Sequence, residues 1–267
     1  MSVENKSSFN FKRRIQSMLK VDMRRMYTSP LYSLIIGISL VVPILIFVMT
    51  TMMDGTTTQA PDGTITVMEG FKNVWQALGS ISANKTGMTM DLVSMCNIDM
   101  MFFMIGALVC LFVGADFRSG YVKNLFTVRS SKTDYVISKT VTSIFVGFQV
   151  IIAYFIGSLI GGAISGLSFE LEGITIYNIV MCLLTKFSLV GVFVPLFLVM
   201  SVVGKNKVWL SMILAFGASM LLFTMVSMIS PLDSTIMNFV LGIAGGTIFS
   251  VGIGIISKIV LDKTSLI

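Results

Sequence analysis

Six apolar runs, each about as long as a bilayer is thick, constrain this chain more than any motif it carries. A hydrocarbon core of about 30 Å takes about 20 helical residues. Residues 31–53, 98–115, 137–163, 177–203, 208–230 and 236–260 supply such lengths with at most one charged residue each. Hydrocarbon offers no water to backbone N–H and C=O groups, so each run has to satisfy them internally as a helix. Pro43 and Pro195 fall inside two of the runs, which membrane helices tolerate. The first run starts at residue 31 and is long enough to span, so it reads as a retained span rather than a cleaved signal. Only 12% of the residues are charged, against about 25% in a soluble domain. No linker marks off a soluble domain, so residues 1–267 read as one all-α integral membrane domain.

The same composition closes off several kinds of chemistry. The chain has no histidine, which removes imidazole from any metal site or acid–base step. Cys96, Cys110 and Cys182 are far apart, fit no disulfide framework or CxxC pair, and Cys110 and Cys182 read as small packing residues. Neither HExxH nor GxSxG occurs, so nothing points to an enzyme, a bound cofactor or a metal. The net charge is +6, but the basic residues flank apolar spans. That placement fits a membrane surface and not a nucleic acid.

Lysine and arginine set the expected orientation. Seven lie before the first span, five from Arg118 to Lys139, and two each near Lys205 and Lys263; the alternate loops hold only Lys72 and Lys85. Sixteen against two, with Lys186 left inside a span, predicts cytoplasmic N- and C-termini and an external 54–97 loop. That loop has a turn signal at Asp62-Gly63, and residues 68–83 predict a short amphipathic helix using Phe71, Val74, Trp75 and Leu78. Trp75 would suit the outer interface.

Two cytoplasmic segments carry amphipathic patterns. In residues 9–28, Phe11, Ile15, Met18, Leu19 and Met26 recur at helical spacing, while Lys12, Arg13, Lys20, Arg24 and Arg25 occupy much of the rest. This predicts a helix in the membrane interface, basic face to anionic lipid; a solvated leader that only sets topology is the plainer alternative. In residues 116–134, Phe117, Tyr121, Leu125 and Phe126 form an apolar stripe, with Arg118, Lys123 and Arg129 on other faces. A short helix with such a stripe needs a receiver, either lipid or a soluble partner.

On this loop the chain resembles the permease subunits of the second class of bacterial ATP-binding-cassette (ABC) exporters. Those have six spans, an N-terminal interfacial helix and a short coupling helix between spans two and three. Their loop pattern is matched here by Asp116, Gly120, the run Tyr121-Val122-Lys123-Asn124-Leu125, and Lys139. The resemblance implies that residues 116–127, with Asp116, Phe117, Arg118, Gly120, Tyr121, Lys123 and Leu125, dock into a separate ATPase. It implies a permease homodimer with two ATPases in a bacterial plasma membrane, with ATP and magnesium held by the partner. The one Gly-Lys pair, Gly204-Lys205, lacks the rest of a phosphate loop. Among the family, small exporters of amphipathic peptides, including toxins of the phenol-soluble-modulin kind, are the nearest in form. The 21 methionines and 20 phenylalanines offer a soft apolar surface suited to such cargo.

Within the spans, Lys186 lies about 13 Å along the helix from the outer end of span four. An intramembrane ion is a functional candidate by default, here for a translocation path or an intersubunit contact, with Asp99 as a candidate partner; the alternative is a stem that snorkels outwards. Gly242, Gly246, Ser250 and Gly254 repeat every fourth residue in span six, and Gly157 and Gly161 do so in span three. Such faces let helices approach closely, within the protomer or at a subunit interface. A secondary transporter would instead show mid-span carboxylates and an inverted repeat, and neither is evident. A non-transporting sensor or immunity subunit shares the same architecture.

Overall fold

The computed structural model describes residues 3–59, 65–67, 70–81, 96–128, 132–171, 173–205 and 207–263. Helices form wherever the hydropathy demands them. They are α1 (Val3–Tyr27), α2 (Pro30–Met53), α3 (Met101–Arg118), α4 (Tyr121–Val128), α5 (Lys132–Ser165), α6 (Ile176–Gly204), α7 (Val208–Ile229) and α8 (Ile236–Lys263). Six of these are long and apolar enough to cross a membrane: α2, α3 with the 3-10 turn before it, and α5 to α8. That is the make-up of a multi-pass membrane protein. The Asp62-Gly63 turn, Arg129 and Lys85 lie outside the described residues.

Lipid tails are as apolar as leucine, so close packing and polar contacts, not the hydrophobic effect, hold the spans together. Helix α6 is central, flanked by α3, α5, α7 and α8, while α7 and α8 scarcely touch each other. Phe102 of α3 stacks on Phe193 of α6 with ring centroids 4.5 Å apart. Helix α2 runs along α5, so close that a Cβ on Gly157 would fall 2.2 Å from the Leu40 carbonyl oxygen. Gly242 and Gly246 meet α6 at Ser188, and the Ser250 hydroxyl donates to the Gly191 carbonyl at 2.7 Å. These three pack α8 on α6 within the protomer. Gly254 does not share that role, since nothing lies within 4 Å of where its Cβ would be.

The two ends of the bundle differ. At the end holding both termini, the basic end, α5 begins at Lys132, five residues before the apolar run. Its 34 residues extend for about 51 Å, well past a hydrocarbon core. Helix α1 uses that overhang: it packs on α5, and its Met18 and Met26 are buried. Of the apolar face expected to lie in lipid, Met18 and Met26 are taken up by the protein, Ile15 and Leu19 are half-buried and Phe11 is exposed.

At the opposite, capped end, Thr57–Gln59 and Ile65–Val67 pair as an antiparallel ribbon. The amphipathic helix expected over 68–83 is only a 3-10 turn, Val74–Leu78, begun by an Asn73–Gln76 capping box and ended at Gly79, whose φ is 146°. The turn binds to loops instead of propagating. Val74 N–H donates to the Ser168 carbonyl at 3.1 Å, Leu232 N–H donates to the Ser80 carbonyl at 3.0 Å, and Trp75 Nε1 donates to the Phe169 carbonyl at 3.1 Å.

Candidate functional site: a buried ion tetrad and a docked helix

Helix α3 ends where its backbone turns left-handed. Ser119 N–H returns to the Ala115 carbonyl, Gly120 N–H to that of Phe117, and Gly120 takes φ 71°, a conformation only glycine adopts without strain. The expectation of one short helix over 116–127 is corrected by this turn. Asp116, Phe117 and Arg118 close α3, and the separate short helix is α4, Tyr121–Val128.

Asp116 is fully buried and sits at the centre of a cluster. Its Oδ1 accepts from Arg25 Nη2 at 2.6 Å; its Oδ2 lies 2.6 Å from Lys139 Nζ and accepts from the Tyr135 hydroxyl at 3.2 Å. Lys139, also fully buried, donates to Asp22 Oδ1 at 2.8 Å, and the Ser138 hydroxyl donates to Asp22 Oδ2 at 2.6 Å. Aromatic faces line the cations. Lys139 Nζ is 3.9 Å from the Phe112 ring centre, and the Arg25 guanidinium stands 4.3 Å over Tyr121, geometry that favours cation–π attraction. Burial works against the Arg25 charge, but Asp116 outweighs it and the guanidinium pKa is raised; burial, reinforced by Asp22, pushes the Tyr121 hydroxyl up.

Two carboxylates and two cations balance, so α1, α3 and α5 meet in a neutral tetrad. Such clusters contribute little net stability, because desolvating each ion costs several kcal/mol. They do fix position, since parting the set leaves Asp22, Asp116 or Lys139 as an unpaired buried charge.

Helix α4 is docked beneath this tetrad. Val122 is buried, Tyr121 and Leu125 are half-buried against the core, and Phe126 meets Tyr135 edge to face at 5.7 Å. Phe117, across the turn, is half-buried as well. The receiver of the apolar stripe is therefore the protein's own bundle. What α4 and its approach present outwards is polar: Arg118, Ser119, Lys123, Asn124 and Thr127 are exposed.

A second ion cluster lies under the capped end. Lys186 Nζ is 2.5 Å from Asp99 Oδ1 and 3.0 Å from Ser230 Oγ, with no exposure of its own. It does not snorkel to solvent; among the described residues its ammonium is held by Asp99 and Ser230.

No family model matches the chain. No curated protein and no solved structure matches it either.

Sequence reasoning had Asp116, Lys139 and Lys186 in view but missed Asp22, Tyr135 and Ser138. A signal for Asp22 existed: it falls midway between Met18 and Met26, which places an acid on the apolar face of a basic helix.

Proposed function

We propose that this chain is the membrane subunit of an ATP-driven ABC exporter, working as a homodimer with two copies of a separate ATPase in a bacterial plasma membrane. In this reading the basic end is cytoplasmic, the capped end is external, and the cargo is an amphipathic peptide or similarly apolar molecule. The supporting observation is the placement of α4, a short helix docked by its apolar face and showing Arg118, Lys123, Asn124 and Thr127 to the outside. A helix resting only on lipid would turn its apolar face to the bilayer; one that receives force from a soluble partner has to be fixed to the spans it moves. Through Arg25 over Tyr121 α4 is tied to α1, through Phe126 against Tyr135 to α5, and through the Gly120 turn to α3. Closure of two ATPases would push on the exposed face and tilt these helices as a unit. ATP, with its magnesium, belongs to the partner.

The test is a photo-crosslinking amino acid in place of Lys123, on α4, or of Ile248, which is 70% exposed on α8, followed by purification from native membranes. The Lys123 position should capture an ATP-hydrolysing subunit and the Ile248 position should not. Adducts with lipid alone at both positions would sink the proposal.

A further inference from the structure

The coupling scheme makes no use of the ion cluster at the other end of the bundle. We propose that Asp99, Lys186 and Ser230 form an electrostatic latch that holds the capped end of the bundle shut beneath the strap 70–81. This goes beyond the exporter reading and does not depend on it.

One ammonium joins three helices there. Lys186 belongs to α6, Asp99 to the 3-10 turn Ile98–Met100 that leads into α3, and Ser230 closes α7. Directly above runs the strap, with Leu78 buried and Val74 seated so closely on α5 that a Cβ on Gly162 would fall 2.2 Å from its methyl. The strap is tied to the α5–α6 connection through Ser168, Phe169 and Glu170, and to the α7–α8 turn through Leu232. Among the described residues the α5–α6 and α7–α8 connections thus lean on one strap, and α3, α6 and α7 beneath it share one lysine.

Stability does not account for the charges, because an apolar pair of similar volume would do as well or better in a dry core. What an ion pair adds is sensitivity to water. Its attraction is strong at low dielectric and fades as water enters, while the same water hydrates both charges. The closed arrangement is therefore either dry and held or wet and released. Among the described residues Asp99 Oδ2 is buried with no hydrogen-bond partner, so water reaching it would hydrate a charge that the closed arrangement leaves half satisfied.

The native cysteines report on this without added probes. Cys182, one turn from Lys186, is fully buried, with Sγ 3.9 Å from the Leu78 carbonyl oxygen and 3.7 Å from that of Ser230. Cys110 is equally buried but lies elsewhere, against the Ser211 carbonyl, and Cys96 is partly exposed. The purified full chain is treated with a fluorescein maleimide and the labelled peptides are mapped. In the unmodified protein Cys96 should react and Cys182 and Cys110 should stay protected. Asp99→Asn, and independently Lys186→Met, should speed labelling of Cys182 by at least about tenfold, the factor that about 1.4 kcal/mol makes in an opening equilibrium, and leave Cys110 protected. The exchange Asp99→Lys with Lys186→Asp should slow Cys182 again. A Cys182 that reacts fast in the unmodified protein, or no faster in Asp99→Asn, would overturn the latch. So would an equal rise at Cys110, because the pair would then hold the whole fold and not its cap.

Discussion

Asp22 is the one acid in the basic, amphipathic stretch 9–28 of α1, and its position explains why Lys139 can be buried at all. With Asp22 and Asp116 both within 2.8 Å, the ammonium is neutralised from two sides. Lys139→Met leaves two carboxylates in a buried site with only Arg25 to balance them, and removing one partner of a buried pair costs about 3–5 kcal/mol. Adding Asp22→Leu removes the excess charge, so the double variant should recover most of the loss. Thermal unfolding of detergent-purified protein measures both, and a double variant no more stable than Lys139→Met would show that the site does not behave as a balanced set. Lys186 and Asp99 were legible as partners from sequence because opposite charges at compatible depths in two spans have few other ways to be satisfied. For Asp22 the spacing from Met18 and Met26 marks a buried acid but names no partner, because the cation it binds most closely, Lys139, comes from an element far along the chain.

At the scale of elements, glycine faces and the α3–α4 turn make separable predictions. Gly157→Ala drives a methyl into the Leu40 carbonyl, at 2.2 Å, and should loosen α2 from α5, whereas Gly254→Ala meets nothing within 4 Å and should be neutral or stabilising by up to about 1 kcal/mol from helix propensity. A Gly157→Ala protein with an unchanged melting temperature would mean that α2 shifts freely along its neighbour. On α4, Tyr121→Ala should lower the melting temperature, because the ring carries the Arg25 guanidinium. Lys123→Glu, on the exposed face, should leave melting intact and weaken capture of the proposed ATPase partner in a pull-down. The reverse pattern would place the functional face of α4 against the bundle. The helices themselves were legible because each needs only its own hydropathy. The stripe from Phe117 to Phe126 was misread as one helix because periodicity counts straight through Gly120, where a positive φ ends α3. Nor can a stripe say what covers it, and here the cover comes from α1, α3 and α5.

For the whole molecule, the charge asymmetry predicts which side each end faces. In a cysteine-free background, Thr56→Cys at the capped end should react with an impermeant maleimide on intact cells, and Thr127→Cys on α4 should react only after lysis. Both positions are exposed, so access to the reagent is set by the membrane; labelling of Thr127→Cys alone on intact cells would invert the orientation. Helix α5 adds a mechanical consequence. It carries Lys139 in the tetrad near one end and, near the other, Gly162, packed against Val74 of the strap. No proline interrupts its 34 residues, unlike α2 and α6 with Pro43 and Pro195. It is a stiff rod with a handle at each end. A tilt of about 10° about its middle swings each tip by about 4 Å, given a length of about 51 Å. That is more than a packed contact or a hydrogen bond can absorb, so if α5 rocks at the basic end it would act as a lever on contacts at the cap, with no change in any helix's internal geometry.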